Sequence, residues 1–104
     1  MKKMNATLAM VAACAVGAQA AVSLPDLFGD HALVQRDAAT AVWGRGDPGE
    51  RVTVTLGGAR AEATTAADGW WLVRLDTSKL GDGPFTLVAK GTSNEVTSQD
   101  ILVG

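Results

Sequence analysis

The segment RVTVTL, residues 51–56, alternates between polar and apolar residues, and this period of two constrains the fold more than any other feature. In an extended chain Val52, Val54 and Leu56 fall on one side, whereas the residues between them fall on the other. A helix would spread the same residues around its circumference, because its side chains repeat every ~3.6 residues. The segment is therefore predicted to be a β-strand with one buried and one solvated face.

Similar segments follow residue 20, separated by short turn signals, and no stretch of ten or more residues has helical apolar spacing. Proline followed by glycine in DPGE, residues 47–50, predicts a type II turn. Gly57-Gly58 and Asp68-Gly69 predict hairpin turns. The other strands are predicted over residues 32–35, 40–44, 59–64, 70–75, 85–89 and 95–103, the last with a break near Ser98.

About seven short strands in some 80 residues predict an all-β fold. The layer rules favour an antiparallel β-sandwich of immunoglobulin or fibronectin type, with a small barrel as the alternative. Trp43 and Trp71 are the expected large core residues between the sheets. Trp70 alternates with Trp71 and is expected nearer an edge, where it covers the core, meets a neighbouring domain or stacks on a sugar ring.

Residues 1–20 have the three parts of a signal peptide. Lys2 and Lys3 precede an apolar run that is shorter than the ~20 residues of a membrane span. Ala18-Gln19-Ala20 then supplies the small-x-small cleavage site. We expect cleavage after Ala20, secretion or export to the periplasm, and a single β-domain over residues 21–104.

Cys14 offers a second way of processing the leader. Val11 to Cys14 loosely resembles a lipoprotein cleavage box, which would leave a lipidated cysteine as the new amino terminus. Apolar residues continue beyond Cys14, and this favours the cleavage after Ala20.

Cleavage after Ala20 would remove two lysines and the only cysteine, changing the formal charge from −2 to −4. No basic patch is left for nucleic acid or for an anionic membrane surface. No disulfide can form either, so stability must come from the core and from any neighbouring domain.

Candidate catalytic and metal-binding residues are few. His31 is the sole histidine, no serine stands in a Gly-x-Ser-x-Gly elbow, and zinc would lack ligands. His31 is expected to form hydrogen bonds within a turn beside Asp30. No catalytic, cofactor-binding or metal-binding residue is predicted. The residues considered and set aside for calcium binding or for a glycosidase carboxylate pair are Asp26, Asp30, Asp37, Glu50 and Glu62.

Short motifs are distributed over residues 24–104. Taken together, they resemble the amino-terminal part of proteins of the sialate O-acetylesterase family. Ala32-Leu33 departs from the Met-Val that the family usually carries, a difference that concerns packing. The matching pieces are Leu27-Phe28, Asp30-His31, Val34-Gln35-Arg36-Asp37, Val42-Trp43-Gly44, Asp47-Pro48-Gly49-Glu50, Val52-Thr53-Val54, Asp68-Gly69-x-Trp71, Gly83-Pro84-Phe85-Thr86-Leu87 and Asp100-Ile101-Leu102-Val103-Gly104.

This resemblance implies a secreted carbohydrate esterase that removes acetyl groups from sialic acids or other acetylated glycans. In the family, a segment like DILVG leads into a Gly-Gln-Ser motif, whose serine is the nucleophile of an SGNH-type hydrolase domain. The chain is thus expected to be the amino-terminal β-domain alone, inactive without that hydrolase domain. A further hypothesis is that Asp30-His31 and Gln35-Arg36 support contact with the hydrolase domain.

The alternative is a free-standing periplasmic β-sandwich that binds a glycan or a protein. A glycan surface needs two or three coplanar exposed aromatic rings, and Trp70 is the one candidate that the sequence offers.

Overall fold

The computed structural model describes residues 21–104, which form seven strands and one short 3-10 helix, Asp26–Phe28. The prediction of an all-β fold is confirmed, whereas the predicted signal peptide and Cys14 lie outside the described residues. No helix within residues 21–104 has the length and apolar character needed to cross a membrane. The strands are β1 Leu33–Val34, β2 Thr40–Arg45, β3 Arg51–Leu56, β4 Ala59–Thr64, β5 Trp70–Leu75, β6 Phe85–Lys90 and β7 Glu95–Val103.

The strands form two sheets that enclose one core. The larger sheet has the order β1-β7-β6-β3-β4, and the smaller sheet pairs β2 with β5. One edge departs from the antiparallel pairing of the other strands: β1 runs parallel to β7, with Leu33 opposite Leu102. Parallel neighbours need a long connection, and here most of the domain lies between the two strands.

Of two predicted turns, one forms as expected and the other connects different strands than expected. The turn at residues 47–50 forms as expected, with Gly49 at φ +85° and the Glu50 amide donating to the Asp47 carbonyl. Gly69, at φ +88°, also lies in a turn, but that turn does not close a hairpin. It carries the chain from β4 in the larger sheet to β5 in the smaller, because β5 pairs with β2 instead.

The predicted break near Ser98 is a β-bulge in β7. Leu87 of β6 lies opposite Ser98, and Phe85 lies opposite Ile101, so β7 has one extra residue in this interval. Asp100 lies within this bulge and has a positive φ of +58°. Because the extra residue shifts the alternation, Ile101 and Val103 point into the core together with Ser98.

The core lies between the inner faces of the two sheets. Val52, Val54 and Leu56 are fully buried, which confirms the alternation expected for β3. Trp71 is 2% exposed, and its indole Nε1 donates to the Arg45 carbonyl at 2.9 Å. Trp43 is only half-buried, because it projects from the outer side of β2 and packs against the edge of the core.

Candidate functional site

His31 lies in a turn beside Asp30, as expected, but both residues bind the bulge of β7. The His31 amide donates to the Gln99 carbonyl at 2.9 Å, and the Asp30 carboxylate accepts from the Gln99 amide at 2.7 Å. The His31 Nδ1 atom lies 3.5 Å from the Asp100 carboxylate, with both side chains more than half exposed. This cluster joins the first part of the domain to the last strand.

The two glutamates weighed as a glycosidase pair are held separately by other groups. Glu62, on β4, accepts from Arg51 at 2.9 Å and from Arg60 at 2.7 Å, and the Arg51 and Arg60 guanidinium groups lower its pKa. Glu50 is buried and precedes β3. Each carboxylate therefore stabilises local structure.

The surroundings of Glu50 act on its pKa in opposite directions. Burial alone would raise it, but hydrogen bonds from the Thr92 amide and hydroxyl and from the Asp47 amide outweigh burial and lower it. The ionised carboxylate thereby links the turn at residues 47–50 to the turn between β6 and β7.

Residues 21–104 contain no group of three or more histidine, cysteine, aspartate or glutamate side chains that could hold a metal ion. Asp26 and Asp37, which were weighed for calcium, lie respectively in the 3-10 helix and in the bend before β2. The Asp37 carboxylate accepts from the Ala38 amide at 2.7 Å, within the bend itself.

Arg36 joins the bend before β2 to the loop that precedes β6 and to the end of β7. Its guanidinium donates to the Asp82 carboxylate at 2.6 Å, to the Val103 carbonyl at 3.0 Å and to the Leu80 carbonyl at 3.2 Å. Its backbone amide donates to the Gly104 carbonyl at 3.1 Å. Arg36 therefore fixes the end of β7 against the loop that precedes β6.

Gln35 contributes through its backbone. Its carbonyl accepts from the Thr40 hydroxyl at 2.8 Å and from the Thr77 hydroxyl at 2.7 Å. Thr77 is completely buried, and a buried hydroxyl without a hydrogen-bond partner would destabilise the fold. The Gln35 carbonyl supplies that partner. The Gln35-Arg36 pair thus organises this end of the sandwich from within.

An apolar surface covers the outer side of the smaller sheet and the neighbouring edge of the domain. We call it the outer apolar surface. The Trp43 ring packs edge to face against Phe28 with ring centroids 4.8 Å apart, and Trp43 lies opposite Leu72 across the sheet. The outer apolar surface comprises Leu27, Leu33, Trp43, Trp70, Leu72 and Leu102.

Trp70 lies at one end of the outer apolar surface, and 43% of it is exposed. The Arg45 guanidinium lies over its ring, 4.5 Å from the centroid, in a cation–π contact. Trp43, Trp70 and Leu72 line an open hollow beside the end of β4. The expected contrast between a buried Trp71 and a more exposed Trp70 is confirmed, since Trp71 is only 2% exposed.

Trp70 is the member of this surface that the sequence singles out. A signal was present in β5, where apolar residues occupy both alternating faces: Trp71, Val73 and Leu75 inside, Trp70 and Leu72 outside. The other members are distant in sequence, and only the fold brings them near β5.

Comparisons with known proteins connect the chain to acetylesterases. No protein-family model matches it. A sialate O-acetylesterase from Pongo abelii is 34% identical over 85 residues, covering 72% of this chain and 16% of that protein. The crystal structure of a carbohydrate acetylesterase from Xanthomonas citri superimposes with a TM-score of 0.74 and 38% identity, covering 81% of this chain and 19% of that one. The chain thus spans less than a fifth of either relative's length.

Proposed function

The chain belongs to the sialate O-acetylesterase family, and we propose that residues 21–104 form the amino-terminal accessory β-domain of a secreted carbohydrate acetylesterase. The observation that carries the proposal is that most of this chain superimposes on a small part of a larger acetylesterase. At 38% identity, 81% of this chain matches the Xanthomonas citri acetylesterase but accounts for only 19% of it. A β-domain within a larger esterase accounts for both numbers.

In this proposal the chemistry belongs to a hydrolase domain outside the printed sequence. There, a serine oxygen attacks the acetyl carbonyl, the sugar hydroxyl leaves with a proton, and water hydrolyses the acyl-enzyme to acetate. The substrate is an acetylated sialic acid or another acetylated glycan. The β-domain supplies no reacting group, in keeping with the structural roles of His31, Glu50 and Glu62 described above.

The proposal includes export. Residues 1–20 act as a signal peptide that is removed after Ala20, so that the domain begins at Ala21 in the periplasm or outside the cell. Lipidation at Cys14 is the alternative. Mass spectrometry of the exported protein distinguishes them, since cleavage after Ala20 gives an unmodified amino terminus without cysteine.

A domain replacement tests the proposed function. The matching segment of the Xanthomonas citri acetylesterase is exchanged for residues 21–104 of this chain, and release of 4-nitrophenol from 4-nitrophenyl acetate is followed. The chimera is expected to hydrolyse the ester, and isolated residues 21–104 are expected to be inactive. A folded but inactive chimera, or hydrolysis by the isolated domain, would contradict the proposal.

The second candidate, a free-standing glycan-binding module, is favoured by the exposure of Trp70. Its weakness is that Arg45 covers one face of that indole. Calorimetric titration of residues 21–104 with O-acetylated sialosides tests it. Binding that is lost in Trp70→Ala, without any hydrolysis, would replace the acetylesterase proposal with this one.

A further inference from the structure

We propose that the outer apolar surface is the face on which the β-domain docks the hydrolase domain of the same polypeptide. The expected partner face is apolar and carries carboxylates opposite Arg45 and Arg74. This inference rests on the proposed function, because it requires that a hydrolase domain follows the β-domain.

Large hydrophobic residues that are more than 40% exposed do not scatter over the domain. Leu72 and Trp70 alternate on the outer side of β5, whereas Leu33 and Leu102 lie opposite each other at the β1 edge. The residues and their exposed fractions are Leu27 59%, Leu33 67%, Trp70 43%, Leu72 48% and Leu102 46%.

The two ends of this surface are joined by a hollow. Leu27 and Leu33 line the same hollow as Trp43 and Arg74, and Trp43 in turn lies opposite Leu72 on the smaller sheet. The apolar side chains therefore form one continuous surface that passes from β5 across β2 to β1. Protein–protein contacts are among the sites that contiguous apolar surfaces of this kind mark.

The last residue of the sequence lies beside the outer apolar surface. The Gly104 amide donates to the Val34 carbonyl at 3.0 Å, and a side chain at Gly104 would lie 3.3 Å from the Leu33 Cδ1 atom. Any residues that follow Gly104 thus begin at the margin of the outer apolar surface. A domain joined there by a short connection has a high effective concentration at that surface.

Two arginines lie beside the outer apolar surface. Arg45 lies opposite Trp70 in the smaller sheet, and Arg74 lies opposite Ala41 on the same outer side. Within residues 21–104 neither guanidinium lies in an ion pair; each donates to a backbone carbonyl, of Asp68 and of Ala39 respectively. Two exposed cations beside apolar side chains favour a partner face with carboxylates.

The test compares unfolding of the isolated domain with unfolding of the acetylesterase chimera. Trp70→Thr combined with Leu72→Thr removes the apolar groups while threonine keeps the strand preference of β5. The matched control is Val88→Thr, a partly exposed position of β6 on the outer side of the larger sheet. Each is measured by calorimetry in both proteins.

We expect the double variant to lower the Tm of the isolated domain by less than ~2 °C and that of the chimera by ~4 °C or more. The control should lower the Tm of the chimera by no more than that of the isolated domain, because the same loss of free energy shifts the Tm of a larger protein less. Equal shifts for the double variant would overturn the docking proposal. If the double variant does not fold as an isolated domain, Leu27→Thr in the 3-10 helix serves instead, with the same expected difference.

Other partners at the outer apolar surface would give different experimental results. A dimer of isolated residues 21–104 in sedimentation velocity, abolished by the double variant, would assign the surface to a second copy and overturn the proposal. Binding of O-acetylated sialosides that the double variant abolishes would assign it to a glycan and overturn it too.

Hydrolysis by the same chimera separates this proposal from the proposed function. A chimera with the expected unfolding difference but no esterase activity would keep the docking surface and contradict the proposed function. An active chimera in which the double variant lowers Tm as much as in the isolated domain would contradict the docking proposal and leave the proposed function intact.

Discussion

The Arg36 guanidinium donates to the Val103 carbonyl at 3.0 Å, joining the bend before β2 to the end of β7, 67 residues away. The same guanidinium holds the Leu80 carbonyl and the Asp82 carboxylate. One side chain thereby fixes the end of β7 against the loop that precedes β6.

Arg36→Ala should lower the free energy of unfolding of residues 21–104. The ion pair with Asp82 is largely exposed and contributes little, but two backbone carbonyls lose a charged donor. We expect a loss of about 1–2 kcal/mol, measured by urea unfolding. Arg60→Ala is the control, because its ion pair with Glu62 is exposed and should contribute less than the bonds that Arg36 donates to two backbone carbonyls. Similar losses in both variants would contradict the role given to Arg36.

Substitution by phenylalanine should destabilise the domain much more at Trp71 than at the adjacent Trp70. Trp71→Phe removes buried volume and leaves the Arg45 carbonyl without its indole donor, so we expect a loss of about 2 kcal/mol. Trp70→Phe, on the exposed side of β5, should cost less than ~0.5 kcal/mol in the isolated domain. Urea unfolding followed by circular dichroism measures both, and a larger loss for Trp70→Phe would reverse the assignment of inner and outer faces.

Two glycines form a second matched pair. A Cβ atom at Gly44 would collide with the Ser23 carbonyl and lie 2.6 Å from the Trp71 Cζ2 atom, whereas at Gly58 it would meet nothing within 4 Å. Gly44→Ala should therefore lower the unfolding free energy by about 2 kcal/mol or more. Gly58→Ala should leave it unchanged or raise it by up to ~1 kcal/mol. Thermal unfolding compares them; equal stability would mean that β2 does not approach Ser23 as closely as described.

Local pattern predicted much of this fold, because strand formation and turns depend on near neighbours. The alternation of Val52, Val54 and Leu56 predicted β3 and its buried face. The parallel pairing of Leu33 with Leu102 carries no local signal, since it joins segments at opposite ends of the domain. The Arg36 contacts were missed for the same reason: Asp82 and Val103 approach only after folding.

The acid dependence of stability should reveal the contacts of Glu50. Its pKa is lowered in the folded domain, so an unfolded chain takes up the proton at a higher pH. The contribution of Glu50 is therefore full above the ordinary glutamate pKa and is lost as pH falls through the lowered folded value. Glu50→Gln should reduce stability at pH 7 and weaken the decline below about pH 4.5.

Urea unfolding at several pH values measures this difference. Glu62 and Asp76, whose pKa values are also lowered, remain in both proteins, so the difference between parent and variant isolates Glu50. A constant difference from pH 7 down to strongly acidic pH would contradict the lowered pKa of Glu50.

The central claim is that this β-domain belongs to a carbohydrate acetylesterase, and reading the genomic DNA beyond the codon for Gly104 tests it most directly. We predict that the sequence continues, in frame or after one frameshift, into a Gly-Gln-Ser motif and a hydrolase domain. A stop codon followed by unrelated sequence would contradict the claim, and residues 21–104 would then have to be studied as a binding module.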